Sequence, residues 1–427
     1  MFHSFFPQPR LFFLSFAAYA VACVVLWFLA ANGWGELVSL GGLVGFGYPE
    51  ALAEGADEAA QAAFADAQGY ALNFWFYQYF FIVTGLFIGG WARYSPHPWA
   101  RWSVFGSAAI LIGTWITVQL NVMINNWFGT FYDLIQKALA EPNSISLTEY
   151  YGVLGEFLII ALAYVVLFTI LHFFSQHFVF RWRTAMNDYY TSIWPKVRKI
   201  EGASQRIQED TQRFASIMET LGTAFIDSVM TLIAFLPLLW ALSAQIGPLP
   251  VVGDVPGSLV WVALIWSLGG TLLLVLVGIK LPGIYFRIQR EEAAYRKELV
   301  IGEDNVSRAE LQTLGSLFHN VRLQYFTLYF HYLYFNATRI VYLQISVLVP
   351  YVALAPSIIA AGITLGLMQQ VVRAFNQVEN SFQFLVRSWS TIVELLSIHK
   401  RLAAFERAIR DQPLEGIERE AMTTPAQ

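Results

Sequence analysis

The sequence has few charged residues and only one cysteine. Asp, Glu, Lys and Arg make up 13% of the 427 residues, against about 25% in typical soluble domains. This composition argues against an ordinary soluble protein and predicts that lipid covers much of the folded surface. The single cysteine, Cys23, excludes an intrachain disulfide framework, a Cys-rich zinc site and an iron–sulfur cluster.

Several motifs of enzymes and nucleotide-binding proteins are also missing. The sequence has no G-x-x-x-x-G-K-[ST] run, so it lacks the loop that holds nucleotide phosphates in P-loop ATPases. It also has no G-x-S-x-G or H-E-x-x-H motif and no cluster of closely spaced histidines. We therefore expect no enzyme activity, no metal, no cofactor and no bound nucleotide. The net charge of −4 gives no basic field, so we expect no nucleic acid partner.

What the sequence does contain is long apolar stretches. Hydrophobic residues make up 56% and aromatic residues 16% of the chain. A membrane-spanning helix needs about 20 mostly apolar residues, and the sequence predicts eight of them. They cover residues 11–31, 71–92, 102–124, 154–178, 221–246, 258–279, 328–352 and 362–386. We therefore predict an all-α multi-pass protein in a lipid bilayer.

The distribution of basic residues predicts the orientation of these helices. Segments 32–92, 247–257 and 351–370 contain no Lys or Arg, and 125–150 contains only Lys137. Because short cytoplasmic loops are enriched in Lys and Arg, these segments are expected outside the cytoplasm. An even number of crossings with both termini in the cytoplasm satisfies every loop. An alternative for the first apolar stretch is a secretory signal, although it is longer than a typical signal core.

The same patterns divide the chain into four regions. We expect a cytoplasmic tip with the first membrane helix at 1–31, an acidic outer loop at 32–70, a transmembrane domain at 71–400 and a cytoplasmic tail at 401–427. Within the transmembrane domain, 181–220 and 280–325 are predicted to extend as helices into the cytoplasm.

Two groups of acidic residues lie in these cytoplasmic extensions. The first contains Glu201, Glu209 and Glu219, and the second contains Glu291, Glu292 and Glu298. Residues seven apart, such as Glu291 and Glu298, share one face of a helix. All six are candidates for proton coupling. The alternative is a solvated helix with ion pairs four residues apart, such as Glu209 with Arg213, that only support the helix.

A third group lies in the last predicted membrane helix. Glu379, Gln383 and Arg387 are spaced i, i+4 and i+8, which places them on one side of a helix. Charged side chains at membrane depth normally face a protein interior or a water-filled cavity. We therefore predict a hydrated cavity in the bundle. Its other candidate lining residues are Asn376, Arg339, and Tyr329 and Tyr332 of the ring-rich run Tyr325–Phe335, which is alternatively an interfacial belt.

Several long segments resemble the SbmA/BacA family of inner-membrane peptide uptake transporters. The similar segments are MFHSFFPQP, YSPHPWARWS (94–103), NNWFGTFYDLIQ (125–136), FRWRTAMNDYY (180–190), IEGASQRIQEDTQRF (200–214), EAAYRKELVIGED (292–304), ITLGLM (363–368) and SWSTIVELLSIHKRLAAFE (388–406). The resemblance runs nearly end to end but leaves out the outer loop at 32–70.

This resemblance implies a fold and a function. The family is similar to the membrane half of ABC exporters, with an extra N-terminal helix and without the nucleotide-binding domain. The resemblance implies a homodimer in the bacterial inner membrane that imports varied peptides and peptide-like antibiotics, driven by protons as the coupling ion. The family's acidic positions fall on Glu201, Glu209, Glu219, Glu292 and Glu298, whereas Tyr285 stands where the family has an acidic residue.

Three other functions remain open from the sequence. The chain is alternatively a half transporter that uses a separate ATPase subunit, with 181–214 as the coupling loop. A membrane-embedded enzyme is the second alternative, although the sequence has no recognisable nucleophile or set of metal ligands. A scaffold or receptor without transport is the third alternative.

Overall fold

The computed structural model describes most of the chain as α-helix. The described residues are 1–50, 57–198, 200, 203–250, 253, 255–305 and 309–409. Its helices, in chain order, are α1 (Pro9–Leu29), α2 (Gly35–Val38), α3 (Glu58–Tyr94), α4 (Gly106–Ala140), α5 (Leu147–Ser192), α6 (Trp194–Val197), α7 (Ala203–Gln205), α8 (Thr211–Ser243), α9 (Ser258–Gly278), α10 (Leu281–Asp304), α11 (Leu311–Ile359), α12 (Leu365–Phe382), α13 (Phe384–Arg387) and α14 (Trp389–Ile409). The all-α fold class is confirmed.

Seven helical segments are long and apolar enough to cross a membrane within the described residues. They are Pro9–Leu29, Ala63–Tyr94, Arg101–Ala140, Leu147–Ser192, Ala203–Ser243, Ser258–Glu303 and Leu311–Ile359. Each contains or closely overlaps one of the first seven predicted membrane helices. The eighth prediction, 362–386, corresponds to α12, which has only 18 residues and carries Arg373 and Glu379 in its interior. The count of eight therefore stays a prediction, as do the orientation and the homodimer.

Several helices are longer than a bilayer requires. At about 1.5 Å of rise per residue, the 46 residues of α5 extend about 69 Å, and the hydrocarbon core is about 30 Å thick. The helix ends at Ser192, and α6 begins at Trp194 with Pro195 in its first turn, where the missing N–H of proline costs no hydrogen bond inside the helix. Helix α7 then begins at Ala203. The predicted cytoplasmic helix at 181–220 is thus interrupted.

The structure places the start of α3 inside the segment 32–70, which the sequence predicts as an outer loop. Asp57 caps α3, because its Oδ1 accepts a hydrogen bond from the Ala60 amide at 2.8 Å. Such caps satisfy an amide that has no partner inside the helix. The helix begins at Glu58, so 58–70 is its first part.

The chain separates into two compact units. Unit 1 comprises 1–112, 174–215 and 402–427, and unit 2 comprises 113–173 and 216–401. In unit 1, α1 packs along α3, where Tyr79 Oη donates to the Cys23 carbonyl at 2.9 Å and Trp91 Nε1 donates to Ser15 Oγ at 3.0 Å.

In unit 2, α9 packs against both α11 and α12, and α10 packs along α11. A small apolar cluster holds the second pair together. It consists of Leu281, Ile284, Ile288 and Leu328, with Tyr325, Tyr332 and Phe335 against it. Residues of α4 also contact the start of α12, where Gly366 N donates to Asp133 Oδ1 at 2.9 Å.

This last contact depends on the absence of a side chain at Gly366. A Cβ placed there would lie 2.1 Å from the Gly129 carbonyl oxygen, closer than any real Cβ contact. The oxygen belongs to the backbone of α4, so it cannot rotate away. The start of α12 and α4 are therefore held at backbone contact.

We expect Gly366→Ala to destabilise the folded protein by about 1–3 kcal/mol, the usual cost of inserting a group into a packed site. Thermal unfolding of the purified protein measures the effect. Gly152→Ala in α5 is the matched control, because a Cβ at Gly152 meets open space. An unchanged midpoint for Gly366→Ala would contradict the close contact.

Candidate functional site

A buried polar cluster of unit 2 joins α9, α11 and the end of α12. It contains Trp266, Tyr342, Ser346, Glu379 and Gln383, which we call the polar centre. Glu379 is 5% exposed, Gln383 3% and Tyr342 4%. A carboxylate removed from water in this way needs hydrogen-bond partners to offset its desolvation.

The partners of Glu379 come from two helices. Gln383 Nε2 donates to Glu379 Oε1 at 2.7 Å and to Tyr342 Oη at 2.9 Å. Tyr342 Oη in turn donates to Glu379 Oε1 at 3.3 Å. Glu379 forms no ion pair with any residue that the structure describes. Its Oε1 therefore accepts hydrogen bonds from two neutral donors.

Local sequence explains how the cluster forms. Glu379 lies in the last turn of α12, and Gln383, four residues later, is the C-terminal cap of that helix. Tyr342 reaches them because its ring lies on Gly270 of α9, where a Cβ would be 2.1 Å from Tyr342 Cζ. The same ring stacks on Trp266, with centroids 5.4 Å apart. Trp266 Nε1 donates to Ser346 Oγ at 2.8 Å.

An apolar cavity borders the polar centre on one side. Its volume is 340 Å³, and its walls come from α9 and α11. Trp266, Gly270 and Tyr342 belong to both the cavity wall and the polar centre. The Tyr342 ring thus separates an apolar space from a buried carboxylate.

A polar path leads from the polar centre to the surface. Arg387 Nη2 donates to Gln383 Oε1 at 3.2 Å and to Asn380 Oδ1 at 2.6 Å. Both Arg387 and Asn380 are exposed in the single chain. Glu379, Gln383 and Arg387 therefore lie together on one helix side, as the sequence spacing predicts.

The other predicted cavity residues lie elsewhere. Asn376, Arg339 and Tyr329 are exposed in the single chain, and Tyr329 packs beside Tyr325 with ring centroids 6.1 Å apart. Tyr332 is partly buried and shares a short hydrogen bond with Tyr285. The structure does not bring these four residues to the polar centre, and their cavity-lining role stays a prediction.

Two of the predicted proton-coupling residues are engaged in ion pairs. Glu209 Oε1 lies 2.9 Å from Arg213 Nη2, and Glu291 Oε1 lies 2.9 Å from Arg290 Nη2. The pairing of Glu209 with Arg213 is the one that the i,i+4 spacing predicts. Exposed pairs of this kind contribute little to stability.

The remaining acidic candidates have other surroundings. Glu292 shares a hydrogen bond with Tyr325, and Glu298 Oε1 accepts from the Ala309 amide at 3.0 Å. Glu219 is partly buried. Glu201 lies outside the described residues.

Tyr285, at the position where the resemblance implies an acidic residue, lies on α10 and is 37% exposed. Its hydroxyl pairs with Tyr332 of α11, one turn from Phe335 and two turns from Tyr325. Glu292 therefore neighbours a line of tyrosine hydroxyls on α10 and α11. Tyrosine hydroxyls donate and accept hydrogen bonds, so this line is a polar strip inside an otherwise apolar contact.

Sequence reasoning missed Tyr342, Ser346 and Trp266. Tyr342 and Glu379 are 37 residues apart, so no helical spacing joins them. The available signal is the Gly269–Gly270 pair on α9, since a glycine inside a membrane helix often marks the close approach of another group.

The comparison with known proteins identifies the family. The chain matches the SbmA/BacA-like family over residues 96–410 and belongs to it. It is also 24% identical to the inner membrane ABC transporter ATP-binding protein YddA of Escherichia coli (strain K12), over 71% of this chain and 56% of that protein. It is 25% identical to ABC transporter D family member 2, chloroplastic, of Arabidopsis thaliana, over 53% of this chain and 33% of that protein.

A similar match is found in Synechocystis sp. (strain ATCC 27184 / PCC 6803 / Kazusa). The uncharacterized ABC transporter ATP-binding protein sll0182 is 22% identical over 76% of this chain and 49% of its own length. The chain thus spans about half the length of the curated relatives that it matches. Together with the seven apolar helices, the family and these relatives support a multi-pass membrane transporter.

We expect Gly270→Ala to disrupt the polar centre. A Cβ at Gly270 displaces the Tyr342 ring, which removes one donor from Glu379 and costs about 1–3 kcal/mol of stability. Gly269→Ala is the matched control, because the neighbouring position meets open space. Thermal unfolding of both variants provides the test, and equal midpoints would contradict the close contact of Tyr342 with α9.

Proposed function

We propose that this member of the SbmA/BacA-like family imports peptides and peptide-like antibiotics across the bacterial inner membrane. Protons moving down their gradient drive the import, and two copies of the chain form a homodimer that opens alternately to each side. The observation that carries this proposal is the buried Glu379 carboxylate, which neutral donors hold and a polar path joins to the surface.

A proton at Glu379 changes the hydrogen bonds of the polar centre. A carboxylate only accepts, whereas a carboxylic acid also donates. Gln383 Nε2 and Tyr342 Oη both donate to the same oxygen, Oε1, and a neutral carboxyl oxygen accepts weaker hydrogen bonds than a carboxylate oxygen does. The contact between α11 and α12 is thereby weakened when Glu379 is neutral.

This change links the proton to the conformation of the protein. A ligand shifts a two-state equilibrium only if it binds one state better. The proposal therefore requires that the two conformations of the dimer differ in their affinity for a proton. The membrane potential supplies about 2.3 kcal/mol per charge per 100 mV, and it also draws a cationic peptide inward.

The surface of α11 suits varied peptide side chains. Phe326, Tyr329, Phe330 and Tyr334 are exposed in the single chain, with Tyr329 at 57%. Aromatic rings offer large apolar area together with a polar edge or hydroxyl. A wall of this kind binds many sequences weakly, in keeping with broad specificity.

A second copy of the chain accounts for charges on this surface. Arg339 lies inside the membrane-spanning segment Leu311–Ile359 and is exposed in the single chain. A charged side chain facing lipid at this depth costs several kcal/mol. Pairing of two chains around a hydrated cavity removes that cost.

A second candidate function is the membrane half of an ABC-type transporter that uses a separate ATPase subunit. The names of the matched relatives, which are ABC transporter proteins about twice as long as the matched region, favour it. The two functions differ in their energy source. Uptake that requires ATP and a second chain supports this candidate.

We expect Glu379→Gln to reduce peptide uptake at least tenfold while membrane insertion and dimer formation remain. Glutamine keeps the size of the side chain but cannot exchange a proton. Glu201→Gln, Glu219→Gln and Glu292→Gln are expected to abolish uptake as well. Accumulation of a labelled cationic peptide in cells is the measurement. Glu303→Gln, at an exposed position near the end of α10, serves as the control, and normal uptake by all four variants would remove the proton relay.

We also expect uptake into proteoliposomes that contain only this chain when an inward proton gradient is imposed. A protonophore should stop it, because it dissipates the driving force. Uptake that persists with the protonophore and depends on ATP would instead support the ABC-type alternative.

A further inference from the structure

The contact between α4 and α12 contains two side chains, Asn125 and Arg373, with buried polar atoms that have no hydrogen-bond partner among the described residues. We call this contact the α4–α12 seam. Two hydrogen bonds hold it. Gly366 N donates to Asp133 Oδ1 at 2.9 Å, and Gln370 Nε2 donates to the Asn126 carbonyl at 3.2 Å. The guanidinium of Arg373 lies 4.0 Å from the centre of the Phe128 ring.

Arg373 is partly buried and has no counter-ion among the described residues. Its Nε is shielded from solvent and donates to none of them. The carboxylate of Asp133 on α4 accepts the Gly366 amide. A cation–π contact with Phe128 offsets only part of the cost of burying this charge. A guanidinium in this position favours an anion from another molecule.

Asn125 supplies the second unsatisfied group. It is 0% exposed, and neither Nδ2 nor Oδ1 has a hydrogen-bond partner among the described residues. Asn125 precedes Phe128 by three residues and Gly129 by four. It therefore lies on the face of α4 that contacts α12, one turn from the Arg373 site.

These two side chains together match the carboxyl end of a peptide. Arg373 Nε and its Nη groups form a fork that fits the two oxygens of a carboxylate. An asparagine amide both donates and accepts, so Asn125 pairs with a backbone carbonyl and a backbone N–H at once. The C-terminal end of a peptide presents all three groups: a carboxylate for Arg373, and a backbone N–H and carbonyl for Asn125.

We propose that Arg373 and Asn125 bind the C-terminal carboxylate of the peptide cargo when the α4–α12 seam opens. The inference rests on the proposed peptide import and names the part of the cargo that this chain recognises. Asn125 is closed off while Gly366 touches Gly129, so binding requires the two helices to separate. The cargo then satisfies groups that are unpaired in the closed seam.

The test compares two synthetic peptides of one sequence, one with a free C-terminal carboxylate and one with a carboxamide. Each carries a fluorophore at its N-terminus, and its equilibrium binding to the purified full-length chain in lipid nanodiscs is measured by anisotropy. We expect the carboxylate form to bind about tenfold more tightly, the usual effect of one charge-assisted hydrogen-bonded pair. Arg373→Gln should bring the ratio near one, and Asn125→Ala should lower it several-fold.

Lys137→Gln is the matched control for the loss of a positive charge. It removes an exposed charge from the last turn of α4, the helix that carries Asn125. It should leave the ratio unchanged. Arg373→Lys keeps the charge without the fork and should give an intermediate ratio, which separates recognition from loss of folding. Equal binding of both peptides by the unaltered chain would overturn the proposal, as would equal weakening of both by Arg373→Gln.

Uptake of the same peptides is measured separately in proteoliposomes. Import without a preference for the carboxylate form removes this site and leaves the proposed function intact. Preferential binding without import supports the site and removes the function.

Discussion

The hydrogen bonds on the Glu379 carboxylate hold three helices of unit 2 in one arrangement. Gln383, at the end of α12, donates a hydrogen bond to Glu379 Oε1, and Tyr342 of α11 donates to the same oxygen. The Tyr342 ring occupies the space that Gly270 leaves on α9. Both hydrogen-bond partners of Glu379 are neutral, and it forms no ion pair among the described residues. Glu209 and Glu291, by contrast, each form an ion pair with a neighbouring arginine.

Local patterns predicted the parts of this fold that depend on neighbouring residues. Apolar runs located seven membrane helices, and the spacing of Glu379, Gln383 and Arg387 predicted their common side. The proline at 195 and the cap at Asp57 shifted boundaries that hydropathy alone does not resolve. The partnership of Tyr342 with Glu379 was beyond reach, because it joins residues 37 positions apart on different helices. Recognition of the family depended on long ordered motifs, which spacing and composition do not supply.

The polar centre and the α4–α12 seam differ in how their buried polar groups are paired. In the polar centre, Gln383, Tyr342 and Trp266 each donate to an acceptor, which favours one stable packing. In the seam, Asn125 and the Nε of Arg373 lack partners among the described residues. The closed seam is therefore less stable than a fully paired contact of the same size. That difference lowers the cost of separating α4 from α12.

Helix α11 contains both Tyr325, which bonds Glu292, and Tyr342, which bonds Glu379. The two tyrosines are 17 positions apart in one uninterrupted helix, or about 26 Å along its axis. No proline lies between them, since Pro350 and Pro356 come later. A rotation or sliding of α11 consequently alters the surroundings of both acids in the same instant. Because the helix is continuous between the two tyrosines, a displacement at one of them reaches the other without any chain of side-chain contacts in between.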